Sequence, residues 1–160
     1  MKRKDPLEGR RAPAFGLRDQ RGRRVTLATL RGRPVVLYFY PRDFTPGCAL
    51  EAEDFRDHYR RIRATGAEVL GVSPDTVASH RRFARAKRVP FPLLSDPARR
   101  VCRRYRVLVV RKLYGRAFPG VDRSTFVIDA KGIIRKVFRS VVVKGHVDAV
   151  RRALISLKEV

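Results

Sequence analysis

The segment "VVLYFY", residues 35 to 40, constrains this chain most: it is an unbroken β-branched, aliphatic and aromatic run bounded by Pro34 and Pro41. A run of this length without polar alternation fits a strand covered on both faces, which requires a sheet packed between two layers. Neighbouring patterns supply the rest of that sheet. "RVTLATL" (24 to 30) reads as a short strand entering the turn Arg31-Gly32-Arg33-Pro34. "AEVLGVS" (67 to 73) reads as a second buried strand and "FPLLSD" (91 to 96) as a third strand candidate. Between them, Cys48, Ala52, Phe55, Tyr59 and Ile62 recur at amphipathic helical spacing, with Gly66 placed to cap the helix end.

A further helix follows Pro74-Asp75 through "TVASHRRFARAKR", and a short one spans 97 to 105. Residues 106 to 123 read as irregular, and 124 to 139 as a hairpin around Ala130-Lys131-Gly132, with a last helix from His146 to Leu157. Strands alternating with helices, closed by an antiparallel hairpin, predict an α/β fold with a mixed central sheet and helices on both faces. At 160 residues, with 44% hydrophobic content and no linker or repeat, the expectation is one domain over 1 to 160.

No apolar run approaches the roughly 18 residues of a membrane span, and "MKRKDPLEGRRAPAF" lacks the apolar core of a secretory signal, so the expected compartment is the cytoplasm. Cys48 and Cys102, the two cysteines, form no CxxC pair and no disulfide framework. His58, His80 and His146 are scattered and give no metal-ligand spacing, and nucleotide-binding glycine motifs are absent. The net charge of +23 comes from 38 basic and 15 acidic residues distributed along the whole chain. It predicts incidental, salt-dependent attraction to polyanions; a basic nucleic-acid-binding protein is the alternative that this charge keeps open.

"YPRDFTPGC" joins the buried strand to the helix and puts Cys48 near the helix N-terminus, where free N–H groups and the dipole favour an anion. Cys48 is then either a small core residue or a nucleophile. Thr45 is placed to cap the helix or to aim its hydroxyl at whatever the sulfur attacks, and Pro41 to wall off water. The acidic run Glu51, Glu53, Asp54 and Asp57 is expected to complement the dipole while loading negative charge near the sulfur, which calls for a compensating cation; Arg42 is local and Arg123 is the distant candidate.

The spacing of Pro41, Thr45 and Cys48 in "PRDFTPGC" resembles the PxxxTxxC motif of peroxiredoxins, and "FYPRDFTPGCALEA" resembles the bacterioferritin comigratory protein (PrxQ) subfamily. "GAEVLGVSPDTVASHRRFA", "FPLLSD" and "YGRAFPGVDRSTFVID" match in order, so the resemblance covers about residues 7 to 157. It implies a thioredoxin-like fold and a thiol peroxidase acting on hydrogen peroxide and organic hydroperoxides, with no metal or organic cofactor. Cys48 would be the peroxidatic nucleophile, Thr45 and Arg123 would bind peroxide and thiolate, Pro41 would shield the site and Glu51 would orient the arginine. Subfamily members often carry a resolving cysteine five residues after the first, where this chain has Glu53; others carry it in the following helix, which here has none. A one-cysteine cycle using thioredoxin or another thiol is therefore expected, in a monomer or weak homodimer, with a Cys48–Cys102 disulfide as the alternative.

Overall fold

A computed structural model describes residues 3–158. Its core element, β3 (Val35–Phe39), has every residue buried. Because side chains alternate across a strand, Val35, Leu37 and Phe39 enter one core layer, while Val36 and Tyr38 enter the other, where Tyr40 just beyond the strand joins them. The seven-stranded sheet runs β2-β1-β5-β4-β3-β8-β9. Its strands are β1 (Gly16–Arg18), β2 (Arg24–Thr26), β4 (Glu68–Ser73), β5 (Leu93–Ser95), β8 (Ser124–Ile128) and β9 (Ile134–Phe138) around β3. Strand β3 pairs in parallel with β4 and antiparallel with β8, so the sheet is mixed.

Helices α1 (Pro46–Ala64), α2 (Val77–Lys87) and α4 (His146–Leu157) supply Phe55, Phe83 and Val150 to the layer that contains Tyr38. The short α3 (Arg100–Arg104) and the N-terminal segment supply Val101, Phe15 and Leu7 to the opposite layer. Helices thus cover both faces, with the longer ones on the Tyr38 side.

Three local expectations are corrected. Residues 24 to 30 are not one strand, since β2 stops at Thr26 and a 3-10 turn takes Ala28–Leu30. A strand at 16 to 18 was not expected from the pattern. The stretch 106 to 123 is not irregular: it forms β6 (Leu108–Leu113) and β7 (Arg116–Val121), an antiparallel ribbon separate from the main sheet. Its turn residues Tyr114 and Gly115 both have positive φ (51° and 74°), as a tight two-residue hairpin needs. Tyrosine is an uncommon residue there, Pro119 lies within the second strand, and the ribbon is largely exposed, so neither turn chemistry nor apolar alternation marks it.

Tyr38 stacks on Phe55 with ring centroids 4.5 Å apart and is 1% exposed, yet its hydroxyl has no hydrogen-bond partner among the described residues. An unpaired buried hydroxyl costs free energy. Tyr38→Phe is therefore expected to hold or raise the unfolding free energy read by urea titration, by up to about 1 kcal/mol; a clear loss of stability would show that the hydroxyl has a partner in solution.

Candidate active site

Strand β3 delivers the chain to the loop Tyr40–Thr45, and Pro46 begins α1 with its φ already suited to a helix. Cys48 falls on the third helical residue and is 2% exposed. Glu51 stands one turn later on the same face and is fully buried. Arg123, just before β8, spans both: its Nη2 donates to Cys48 Sγ at 3.4 Å and its Nη1 donates to Glu51 Oε1 at 2.7 Å. Gly47 makes room for it, since a Cβ there would lie 3.1 Å from Arg123 Nη2.

The electrostatics follow from burial. Burial works against the charge on Arg123, but Glu51 and Cys48 outweigh it and hold the guanidinium above its ordinary pKa. Burial pushes Glu51 up to about 7 although Arg123 pulls the other way, and its second oxygen has no partner among the described residues. His146, at the start of α4, meets Thr125 Oγ1 through Nε2 at 2.8 Å; burial, and then the charge of Arg123, push it down to about 4, so the ring is neutral.

The loop around Pro41 and Thr45 is held by a buried strap. Asp43 accepts from the Tyr40 hydroxyl at 2.7 Å and the Ser79 hydroxyl at 2.8 Å, and its Oδ2 faces His80 Nδ1 at 2.7 Å. His80 Nε2 faces the Leu94 carbonyl at 3.0 Å, and since a carbonyl only accepts, this nitrogen donates. The Asp43 N–H donates to Asp75 Oδ2 at 2.8 Å. Asp43, Asp75 and His80 lie together as a metal triad would, but their polar atoms are engaged in this strap. The strap over-determines Phe44, whose φ of 65° is strained for a non-glycine residue.

Pro41 is exposed and Thr45 half-buried, and both line a cavity of about 580 Å³ beside the loop that leads to Cys48. The Thr45 hydroxyl donates to the Arg42 carbonyl at 2.9 Å and does not cap the helix. The acidic run does not act on the dipole as expected: no acid stands in the first turn of α1, Glu51 turns inward, and Glu53 pairs with Lys87. Arg42 lines the cavity, and among the described residues the hydrogen bond to Cys48 Sγ comes from Arg123 and not from Arg42.

The structure does not bring Cys102 to this site. Cys102 packs in the layer of Leu37 and Phe39, on the far side of the sheet from Cys48. Burial pushes its thiol far up, and Asp96 adds to the shift. Sequence spacing missed Asp43, His80 and His146. The available signal for His80 was its place three residues before Phe83 on the inner face of α2, where a polar side chain needs buried partners.

Residues 9–137 match the family model described as AhpC/TSA family. The chain is 43% identical over 139 residues to the putative peroxiredoxin bcp of Coxiella burnetii, covering 87% of this chain and 92% of that one. It is 38% identical over 151 residues to peroxiredoxin Bcp of Bacillus subtilis, covering 94% and 96%. The solved bacterioferritin comigratory protein of Xanthomonas campestris superposes with a TM-score of 0.85 at 38% identity, covering 89% of this chain and 90% of that chain. The chain belongs to the AhpC/TSA family, in its bacterioferritin comigratory protein (PrxQ) branch. The sheet and helices are those of a thioredoxin-like peroxiredoxin, and the enzyme class is peroxidase, an oxidoreductase. No helix among the described residues is long and apolar enough to cross a membrane.

Two outcomes follow from this geometry. His80→Ala leaves the buried Asp43 carboxylate without its ring partner, and a loss of about 3 kcal/mol in urea unfolding is expected. For Glu51, the folded pKa of about 7 lies above the ordinary 4.5. Its contribution is therefore full below about pH 4.5 and is lost as the pH rises through about 7. Relative to Glu51→Gln, the wild type should lose on the order of 2 kcal/mol across that window, read by urea titrations at pH 5 and 8.

Proposed function

We propose that the protein reduces hydrogen peroxide and organic hydroperoxides through Cys48 in a one-cysteine cycle. The observation that carries this is the single guanidinium, Arg123, donating to both Cys48 Sγ and Glu51. In that position it stabilises a thiolate and has the polarity to draw on a peroxide oxygen. The thiolate attacks one peroxide oxygen, the O–O bond breaks, and the departing oxygen takes a proton as water or alcohol, leaving Cys48 as a sulfenic acid. Thr45 offers its hydroxyl to the peroxide after giving up the Arg42 carbonyl, and Pro41 limits water at the site. Glu51 orients Arg123 and so acts as a positioning residue.

An external thiol, of thioredoxin type or small, then attacks the sulfenic sulfur, releasing water and forming a mixed disulfide. A second thiol frees Cys48 and carries away the disulfide. Two facts support an external partner over Cys102: the sheet lies between the two sulfurs, and burial holds the Cys102 thiol in its protonated, unreactive form. The cost is over-oxidation, because no neighbouring thiol traps the sulfenic acid before more peroxide arrives. The cytoplasm, with its thiol reductants, suits a chain whose two cysteines are both free.

Cys48→Ser should abolish peroxide consumption, and Cys102→Ser should retain most of it with dithiothreitol as reductant. Intact mass after one equivalent of peroxide with a dimedone-type trap should show one adduct on Cys48. Loss of two mass units with no free thiol would instead establish a Cys48–Cys102 disulfide, and turnover by Cys48→Ser would overturn the assignment.

A further inference from the structure

The cavity beside the Pro41–Thr45 loop carries three arginines that the peroxidase chemistry does not use. Pro41 and Thr45 line it beside Arg42, Arg99, Arg111 and Phe118. Among the described residues none of the three arginines makes an ion pair. Arg99 Nε is buried and has no hydrogen-bond partner, and its Nη1 reaches only the Pro97 carbonyl at 3.5 Å. Such a buried donor is costly unless something arrives to accept from it. Arg99 itself has a left-handed backbone, φ 56°, at the start of α3. Arg111 is laid into the cavity over Gly120, where any Cβ would collide with its side chain. The one acid on the wall, Asp75, spends Oδ2 on the Asp43 N–H and the Ser73 hydroxyl. Phe118, Pro119 and Val121 make the rest of the wall apolar.

We propose that this cavity is an anion-reading subsite, which binds the carboxylate of a small organic reactant while its hydroperoxide or thiol group is presented to Cys48. The inference rests on the peroxidase reading above. The guanidinium fork suits a carboxylate, the Phe118 wall suits a short apolar body, and the volume of about 580 Å³ accommodates a small molecule. A carboxylate bound there lies beside Thr45, three residues from the reactive sulfur, so charge on the reactant becomes a determinant of rate.

The test separates the two half-reactions by stopped-flow at low ionic strength. In the oxidative arm, reduced enzyme meets a carboxylate-bearing hydroperoxide or its methyl ester. In the reductive arm, the sulfenic form meets 3-mercaptopropionate, 2-mercaptoethanol or cysteamine. The expected result is a preference of roughly tenfold for the anionic reactant in at least one arm, which also says whether peroxide or thiol is the natural occupant. Arg99→Gln/Arg111→Gln should erase that preference, whereas Arg82→Gln/Arg85→Gln, the same charge removed from the exposed face of α2, should keep it. Equal rates for charged and neutral reactants in both arms would overturn the proposal, as would a preference that survives Arg99→Gln/Arg111→Gln. Hydrogen peroxide, which has no carboxylate, provides the separate check: if the wild type consumes it while charged and neutral organic reactants react at equal rates, only the subsite fails, and if it does not consume it, the peroxidase reading itself fails.

Discussion

Burial of β3 on both faces governs the arrangement of everything around it. With all five residues at 0 or 1% exposure, the strand must be covered from both sides, and its alternation divides the interior into two layers that share no side chains. Burying a residue of this size contributes on the order of 2 kcal/mol, so exposing the residues of either face would cost roughly 4 to 6 kcal/mol, a large part of the margin by which a domain is stable. This division also separates the two cysteines. Cys48 joins the layer of α1, α2 and α4, and Cys102 joins the layer of α3, so a direct bond between them would have to pass through the sheet.

On the α1 side, polar groups are buried at a cost that pairing largely offsets. Glu51 is tolerated with no exposure because Arg123 meets one of its oxygens, and the same guanidinium serves the sulfur. The Asp43–His80 strap does comparable work for the loop, tying β3, α2 and β5 around the strained Phe44. Both devices join segments far apart in the chain, Arg123 lying 75 residues from Cys48 and His80 lying 37 from Asp43. The exposed ion pairs, such as Arg56–Asp57, contribute little by contrast, since water screens them. The +23 charge therefore bears on association rather than on fold.

Legibility tracked how local each cause is. The strand at 35 to 40, the helix from the cysteine to Ala64 and the late hairpin were readable because periodicity and turn chemistry are properties of neighbouring residues. The ribbon at 108 to 121 was not, because its pairing borrows no core face and its turn uses a tyrosine. Among the candidate site residues, Cys48, Thr45 and Pro41 stood together in one motif. Arg123 was one distant candidate cation that only the resemblance set beside the cysteine, and Asp43, His80 and His146 entered only once their partners were seen in space.

By itself the sequence determined a mixed α/β sheet and a cysteine at the head of a helix, since apolar period, proline position and helix start are set within a few residues. Tertiary structure alone decided which cation meets that cysteine, that Glu51 turns inward, that Cys102 lies beyond the sheet, and that three arginines meet beside the Pro41–Thr45 loop. The physical reason is that desolvation and charge pairing depend on distances between groups that only the folded chain brings within a few ångströms, and no local pattern encodes those distances.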